Sequence, residues 1–105
     1  MGQKGDKHTN EAALSAELLV EKLASIKGIT SKKMFGGHGI FHEGKMFGMV
    51  DSKGNCLFKV DPELEKEYIN QGAEKHGKMP YYTIPADIFN STDIVDWAKK
   101  SISIV

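Results

Sequence analysis

The sequence predicts an α+β domain in which an N-terminal, a middle and a C-terminal helix pack against an antiparallel meander sheet. A stripe of apolar residues at helical spacing opens the chain, and its members are Ala12, Ala16, Leu19, Leu23 and Ile26. From residue 30 to residue 60 the apolar period changes to two, and turn residues divide this stretch into short runs. Because no helical crossover separates these runs, we expect neighbouring strands to be antiparallel.

The first predicted helix follows a polar opening segment. Residues 1–8 carry no hydrophobic pattern, so we expect a disordered tail there and a single domain over residues 9–105. Thr9 or Asn10 is the expected N-cap, and Gly28 is the expected end of the helix. Leu14 and Leu18 lie one turn apart on a different face from the stripe, so they form an apolar pair that is free to touch a partner.

Four strands are expected next, near residues 31–35, 37–41, 46–50 and 56–60. Gly44 and Gly54 lie in two of the connections and can adopt positive φ, which indicates hairpins. Asp61 followed by Pro62 supplies an N-cap and a residue suited to a first helical turn. A short helix should therefore extend from about Pro62 to residue 71 and stop at Gly72.

An extended segment and a last helix complete the predicted fold. Prolines bracket residues 79–85, and proline suits an edge strand because it cannot donate to the ladder. Tyr81 and Tyr82 point to opposite faces of an extended chain, so we expect one to pack inward and the other to be partly exposed. The last helix begins after Asn90 or Ser91 and contains Trp97.

Composition limits the classes of protein to which the chain can belong. The chain has 105 residues, of which 40% are hydrophobic and 27% charged, as is typical of one soluble domain. No apolar run reaches membrane-spanning length and no leader pattern opens the chain, so we expect a cytoplasmic protein that has no membrane partner. The single cysteine, Cys56, permits no internal disulfide and is typical of a reducing compartment.

Charge is balanced overall but unevenly placed. All 14 cationic residues are lysine, and the lack of arginine disfavours sequence-specific reading of DNA. Residues 27–59 carry six lysines against two carboxylates, whereas residues 61–74 carry five carboxylates against one lysine. One stretch is therefore suited to an anionic partner and the next to a cationic one.

The sequence offers few groups for catalysis or metal binding. Three glycines, Gly36, Gly37 and Gly39, lead into a strand rather than a helix, so we expect a bend, a bulge or a close approach of the first helix instead of a phosphate loop. His38 and His42 lie roughly 13 Å apart on a strand, too far to share one ion. A lone cysteine in an apolar strand is typical of a buried residue. We therefore predict no catalytic residue, no metal and no cofactor.

Four segments together resemble a known family. They are KKMFGGHGIF at residues 32–41, GKMFG at 44–48, LFKVD at 57–61 and MPYYTIP at 79–85, and a helix with Trp97 follows them. This pattern is similar to the N-terminal domain of the TfoX/Sxy competence regulators. The resemblance implies an α+β fold of the kind compared with secretion chaperones, and a place among bacterial proteins that promote transcription of DNA-uptake genes.

Two departures from the family pattern affect what is carried over. Family members often have arginine where this chain has Lys32 and Lys33, which weakens an inference of planar phosphate or base recognition. The full-length regulators also carry a second, C-terminal domain, so we expect this chain to act as a stand-alone N-terminal domain.

Three functions follow as hypotheses. The first is a non-enzymatic regulatory module that binds a protein, with the transcription machinery as one candidate and a homodimer as another. The second is weak nucleic-acid binding through the lysine-rich stretch. The third is a small-ligand binder or enzyme, which requires a cavity joining His38 to Cys56 or Tyr81. The candidate partner surface comprises Leu14, Leu18, Lys32, Lys33, Lys45, Lys59, Tyr81 and Tyr82.

Overall fold

A computed structural model of the chain describes the backbone of residues 3–34 and 36–105, and the side chains of residues 11–34 and 36–105. Nine elements follow in this part of the chain: α1 (Gln3–Lys22), β1 (Ile29–Met34), β2 (Gly37–His42), β3 (Lys45–Val50), β4 (Cys56–Lys59), α2 (Pro62–Asn70), β5 (Tyr81–Thr83), α3 (Ala86–Phe89) and α4 (Asp93–Ser103). The strands form one antiparallel sheet in chain order. The predicted α+β meander with N-terminal, middle and C-terminal helices is confirmed.

The strand register assigns residues to two faces of the sheet. Ile40 pairs with Gly48, which pairs with Phe58, which pairs with Tyr82. Ile40, Phe58 and Tyr82 of this row belong to the core cluster, which also draws on all four helices, so we call this side the helix face. The neighbouring row is Gly39, Met49, Leu57 and Thr83, and it lies on the opposite side because side chains alternate along a strand.

The core is built as the α1 stripe predicts. Ala12, Ala16, Leu19 and Leu23 are at most 2% exposed and pack on the helix face. From α4, Ile94 and Ala98 join them. The ring of Tyr68 in α2 meets Trp97 edge-on at 4.6 Å between centroids. Helices from both ends of the chain therefore cover the same side of the sheet.

A β-bulge divides β3 between the two faces. Ile40 pairs with Gly48, but the next residue, Phe41, pairs with Met46, which leaves Phe47 as an extra residue in β3. Phe47 is fully buried in the core cluster. Met46 lies opposite Phe41 and so shares a face with Met49, although three positions separate the two methionines.

The ends of α1 differ from the prediction. The helix begins at Gln3 rather than after Thr9 or Asn10, and it ends at Lys22. Turns that include a hydrogen bond from Ile26 N to Leu23 O carry the chain to Gly28, whose φ of +84° precedes β1. Side chains of residues 1–10 lie outside the described part, so the disordered tail predicted for residues 1–8 stays a prediction.

The later elements mostly follow the prediction. Asp61 caps α2 because its carboxylate accepts hydrogen bonds from the amides of Glu63 and Leu64. The four-residue helix α3 was not predicted. The expectation that one of Tyr81 and Tyr82 is partly exposed is wrong, since each is only 5% exposed. Tyr82 packs on the helix face, while Tyr81 is buried apart from the core cluster on the other face.

Residues 74–76 cover the outer side of β5. The amide of Thr83 donates to Glu74 O, the amide of His76 donates to Tyr81 O, and Lys75 forms an isolated bridge with Tyr82. Residues 74–76 therefore pair along the outer edge of β5, the strand that was expected to be the edge of the sheet. At the other end of the sheet, β1 pairs only with β2 within the described residues.

Candidate functional site

A cavity of about 600 Å³ opens on the face of the sheet opposite the helices. All four methionines of the described chain line it: Met34, Met46, Met49 and Met79. We call it the methionine cavity. His38, His76 and Tyr81 also line it, together with Val50, Asp51 and Ser52. The cavity is thus bounded by strands on one side and by the connection between α2 and β5 on another.

Backbone geometry brings the four methionines together. Met49 and Met46 share a face because of the bulge at Phe47. Gly39 leaves room beneath Met34, since a Cβ at position 39 would lie 2.8 Å from the Met34 Sδ atom. Met79 lies in the connection that precedes β5. A 2.9 Å hydrogen bond from His76 N to Tyr81 O holds this connection against β5.

The polar groups at the cavity differ in what they already bind. Asp51 accepts three hydrogen bonds within its own turn, from the amides of Lys53 and Asn55 and from the Asn55 side chain, at 2.8–3.1 Å. The Nδ1 atom of His38, in contrast, is buried and has no hydrogen-bond partner. The imidazole of His38 therefore lines the cavity through ring atoms other than Nδ1.

The glycine-rich element is structural, in part as predicted. Gly36 has a φ of +77°, which forms the tight bend between β1 and β2. A Cβ at Gly37 would lie 1.9 Å from the carbonyl oxygen of Val50. The close approach is therefore to the backbone of β3, and the expected approach of the first helix does not account for Gly37.

Cys56 and His38 do not form a catalytic pair. Both pair with Val50 on the intervening strand, so they are two strands, or roughly 10 Å, apart. Burial, with a smaller contribution from Asp51, raises the pKa of the Cys56 thiol from 9.0 to about 12. A protonated thiol is a poor nucleophile at neutral pH. The cavity required by the third hypothesis joins His38 to Tyr81 but does not include Cys56.

Metal-binding side chains are also dispersed. In the part of the chain that the structure describes, no group of three His, Cys, Asp or Glu residues is placed to hold a metal ion.

The outer edge of β1 is a second candidate surface. The amide of Glu43 donates to Gly28 O, and bonded and non-bonded pairs alternate in an antiparallel ladder. The amides of Ile29, Ser31 and Lys33 therefore point away from β2. Residues 30–33 are exposed. Backbone donors and acceptors along β1 are thus presented to solvent.

The lysines of the candidate partner surface do not form one patch. Lys32 and Lys33 are adjacent on β1 and so point to opposite faces of the sheet. Lys45 is exposed at the start of β3, whereas Lys59 is half-buried on β4, three strands from β1. The structure brings Lys59 next to Tyr81, its partner in the ladder, and away from the other three lysines.

The apolar pair of α1 is exposed as predicted. Leu14 is 63% exposed and Leu18 is 45% exposed. Leu18 borders a hollow shared with Cys56 and Phe89, so it faces β4 and α3 rather than β1. The two leucines and the β1 edge are therefore separate surfaces.

Comparison with known protein families decides the identity of the fold. Residues 21–104, from the end of α1 through α4, match the TfoX N-terminal domain. The chain belongs to the TfoX N-terminal domain family. A search of curated proteins gave no match. The methionine cavity and the β1 edge both lie inside the matched region of this TfoX domain, whereas Leu14 and Leu18 precede it.

Sequence reasoning missed the methionines of this TfoX domain. A signal was present, because Met46 and Met49 interrupt the alternation of β3 at a spacing of three, which is typical of a bulge.

Among the described residues of the domain, no helix combines the length and the hydropathy that a membrane-spanning segment needs.

Proposed function

We propose that this TfoX domain is a non-enzymatic, competence-related regulatory module that binds a partner protein by strand addition at β1. The observation that carries the proposal is the six-residue strand β1, whose outer edge has no partner strand in the described residues. An exposed edge is a template for an extended segment of another chain, because main-chain hydrogen bonds supply the affinity. Family membership supports the regulatory part of the proposal.

Charge favours a particular kind of partner. Lys32 and Lys33 flank the free backbone groups of β1, and lysines on an edge strand work against pairing with a second copy of the same strand. An extended acidic segment would instead place carboxylates beside these two ammonium groups. We therefore expect a heterologous acidic partner rather than a homodimer through β1.

The acidic helix α2 is less suited to partner binding because two of its three carboxylates already have partners. Glu65 accepts a 2.6 Å hydrogen bond from the Tyr82 hydroxyl. Glu67 pairs with Lys100 of α4 at 3.2 Å. These two acids tie α2 to β5 and α4, which favours a structural role for them.

Nucleic-acid binding is the alternative. It needs lysines that follow one phosphate backbone. Lys32, Lys33 and Lys59 lie on both faces of the sheet and on two strands, β1 and β4, that are separated by β2 and β3, which disfavours that arrangement. We therefore keep nucleic-acid binding as an outcome of the test rather than as a second proposal.

The test uses a photoreactive amino acid placed at Lys33 of β1 or, as a control, at exposed Lys66 of α2. We expect protein adducts in cells from the Lys33 site but not from the Lys66 site. Adding Ser31→Pro should abolish those adducts, because it removes an outward-pointing amide, while Ser31→Ala should preserve them because it keeps that amide. Adducts that form equally at both sites, or that survive Ser31→Pro, would contradict the proposal.

A titration with a mixed-sequence DNA duplex, followed by amide-resolved NMR at low and physiological salt, tests the alternative. Affinity for phosphates falls steeply with salt. Salt-sensitive shifts clustered between residues 32 and 59 would replace the protein-binding proposal with nucleic-acid binding. Unchanged spectra at both salts are the expected result.

A further inference from the structure

The methionine cavity has the size and lining of a small-molecule site. Its volume of about 600 Å³ lies within the range typical of ligand pockets. Its lining comes from β1, β2, β3, the turn after β3, the connection before β5 and β5 itself, so several elements of the fold form the site together. Most of the lining side chains are apolar, and a few polar groups lie among them.

Apart from Val50, which belongs to both, the apolar lining of this site lies outside the core cluster. Among the buried hydrophobic residues, Leu57 and Tyr81 are the two that do not belong to the core cluster, and both project from the side of the sheet that carries Met49. Methionine side chains are flexible and polarizable, and they adapt to ligands of differing shape. The cavity therefore offers a floor that accepts an aliphatic or aromatic body.

The imidazole of His38 lines the cavity through ring atoms other than its buried Nδ1. Since Nδ1 is buried and has no hydrogen-bond acceptor, the ring proton is better placed on Nε2, the other ring nitrogen. A ligand group that accepts a hydrogen bond, such as a carboxylate, would bind Nε2. His76 places a second imidazole at the same cavity.

The carboxylate in the lining, Asp51, bears on the charge of the ligand's polar group. Asp51 already accepts three hydrogen bonds in its own turn, which leaves at most one of its roughly four lone pairs for a ligand. Two imidazoles favour an acceptor or an anion over an ammonium group. We propose that the methionine cavity binds a small molecule with an apolar body and a single carboxyl group, hydrogen-bonded by His38. This inference goes beyond the protein-binding function and does not depend on it.

The first experiment follows the methionine methyl groups by NMR in protein made with methyl-labelled methionine. The probe is decanoate below its micelle concentration, with decanol as the uncharged analogue of the same chain length. We expect saturable shifts of the methyl signals of Met34, Met46, Met49 and Met79, assigned by single substitution. Backbone amides of α1, on the other face of the sheet, should not shift. Absence of saturable shifts, or shifts of equal size on both faces, would overturn the proposal.

The second experiment separates the head group from the apolar body. His38→Phe removes the imidazole, and we expect it to weaken decanoate binding about tenfold, the effect of one hydrogen bond to a charged group. Decanol binding should change much less. His42→Phe is the matched control, because His42 lies on the same strand but outside the cavity lining, and it should bind both probes as the unsubstituted protein does.

Two further variants keep the test decisive if His38→Phe does not fold. His38→Gln retains a hydrogen-bonding side chain and should keep most of the affinity for decanoate. Met49→Gln places an amide in the apolar floor and should weaken both probes. Equal affinities in the unsubstituted protein and Met49→Gln would contradict the site. Methyl shifts caused by a partner protein but not by decanoate would show that the cavity receives a peptide instead.

Discussion

The Ser101 hydroxyl of α4 donates a 2.7 Å hydrogen bond to the carbonyl oxygen of Lys59 on β4. Ser101 is fully buried, whereas its neighbour Ile102 is only partly buried. A polar side chain thus occupies a core-facing position of the last helix, where it fixes the helix to a strand far away in the chain.

Replacing Ser101 with alanine should lower the free energy of unfolding by about 1–3 kcal/mol, because the Lys59 carbonyl would lose its partner in a buried setting. Ser103→Ala is the matched control. The Ser103 hydroxyl bonds only to Lys100 O within its own helix and is exposed, so we expect a change below about 0.5 kcal/mol. Urea unfolding followed by circular dichroism measures both. Equal losses in the two variants would show that the Ser101 bond does not stabilise the fold.

Alanine at Gly37 should be much more damaging than alanine at Gly77. A Cβ at position 37 would lie 1.9 Å from the Val50 carbonyl oxygen, which is backbone and has little freedom to move. We expect a loss of about 3 kcal/mol or more, or failure to fold. Gly77 has a φ of +57° and open space around it, so its replacement costs only about 1–2 kcal/mol of backbone strain. Thermal unfolding of the two variants compares them directly, and similar losses would refute the close-contact explanation.

Alkaline pH should destabilise the domain. In the unfolded chain the Cys56 thiol ionises near 9.0, whereas burial holds its pKa at about 12 in the fold, so unfolding releases a proton in this range. The free energy of unfolding should therefore fall as pH rises from 9.0 toward 12. The Glu65 carboxylate, bonded to the Tyr82 hydroxyl, raises the pKa of Tyr82 and acts in the same direction.

The Cys56→Ala variant isolates the thiol from the tyrosines. Its overall stability is expected to be lower, but the decline that begins near pH 9.0 should be shallower than in the unsubstituted protein. Urea unfolding at a series of pH values measures the slope. Parallel curves for the two proteins would show that Cys56 does not contribute to the pH dependence.

Local sequence signals accounted for much of this fold. Alternating residues and glycine-containing turns located β1 to β4 to within about two residues, and the Asp61 cap located the start of α2. The start of α1 was less accurate, because its first residues carry no apolar stripe. The four residues of α3 are too few to show a helical period.

The candidate site was less predictable because it depends on contacts between distant segments. Tyr81 can be buried only if other residues cover the face opposite the helices near Leu57. No local sequence pattern near residue 81 indicates that this face is covered. The cavity likewise needs Met34 and Met79, which are 45 positions apart, on one face of the sheet. The prediction that Leu14 and Leu18 are exposed was confirmed, since a helical stripe alone decides it.

The bulge at Phe47 makes β3 a wall shared by two compartments. Phe47 closes the core on one side of the strand, Met46 and Met49 line the cavity on the other, and Val50 at the end of the strand contributes to both. A single insertion or deletion in this strand would exchange the two sets of side chains and spoil both compartments at once. The shape of the cavity and the packing of the core therefore depend on the same extra residue, so a mutation that shifts β3 alters both.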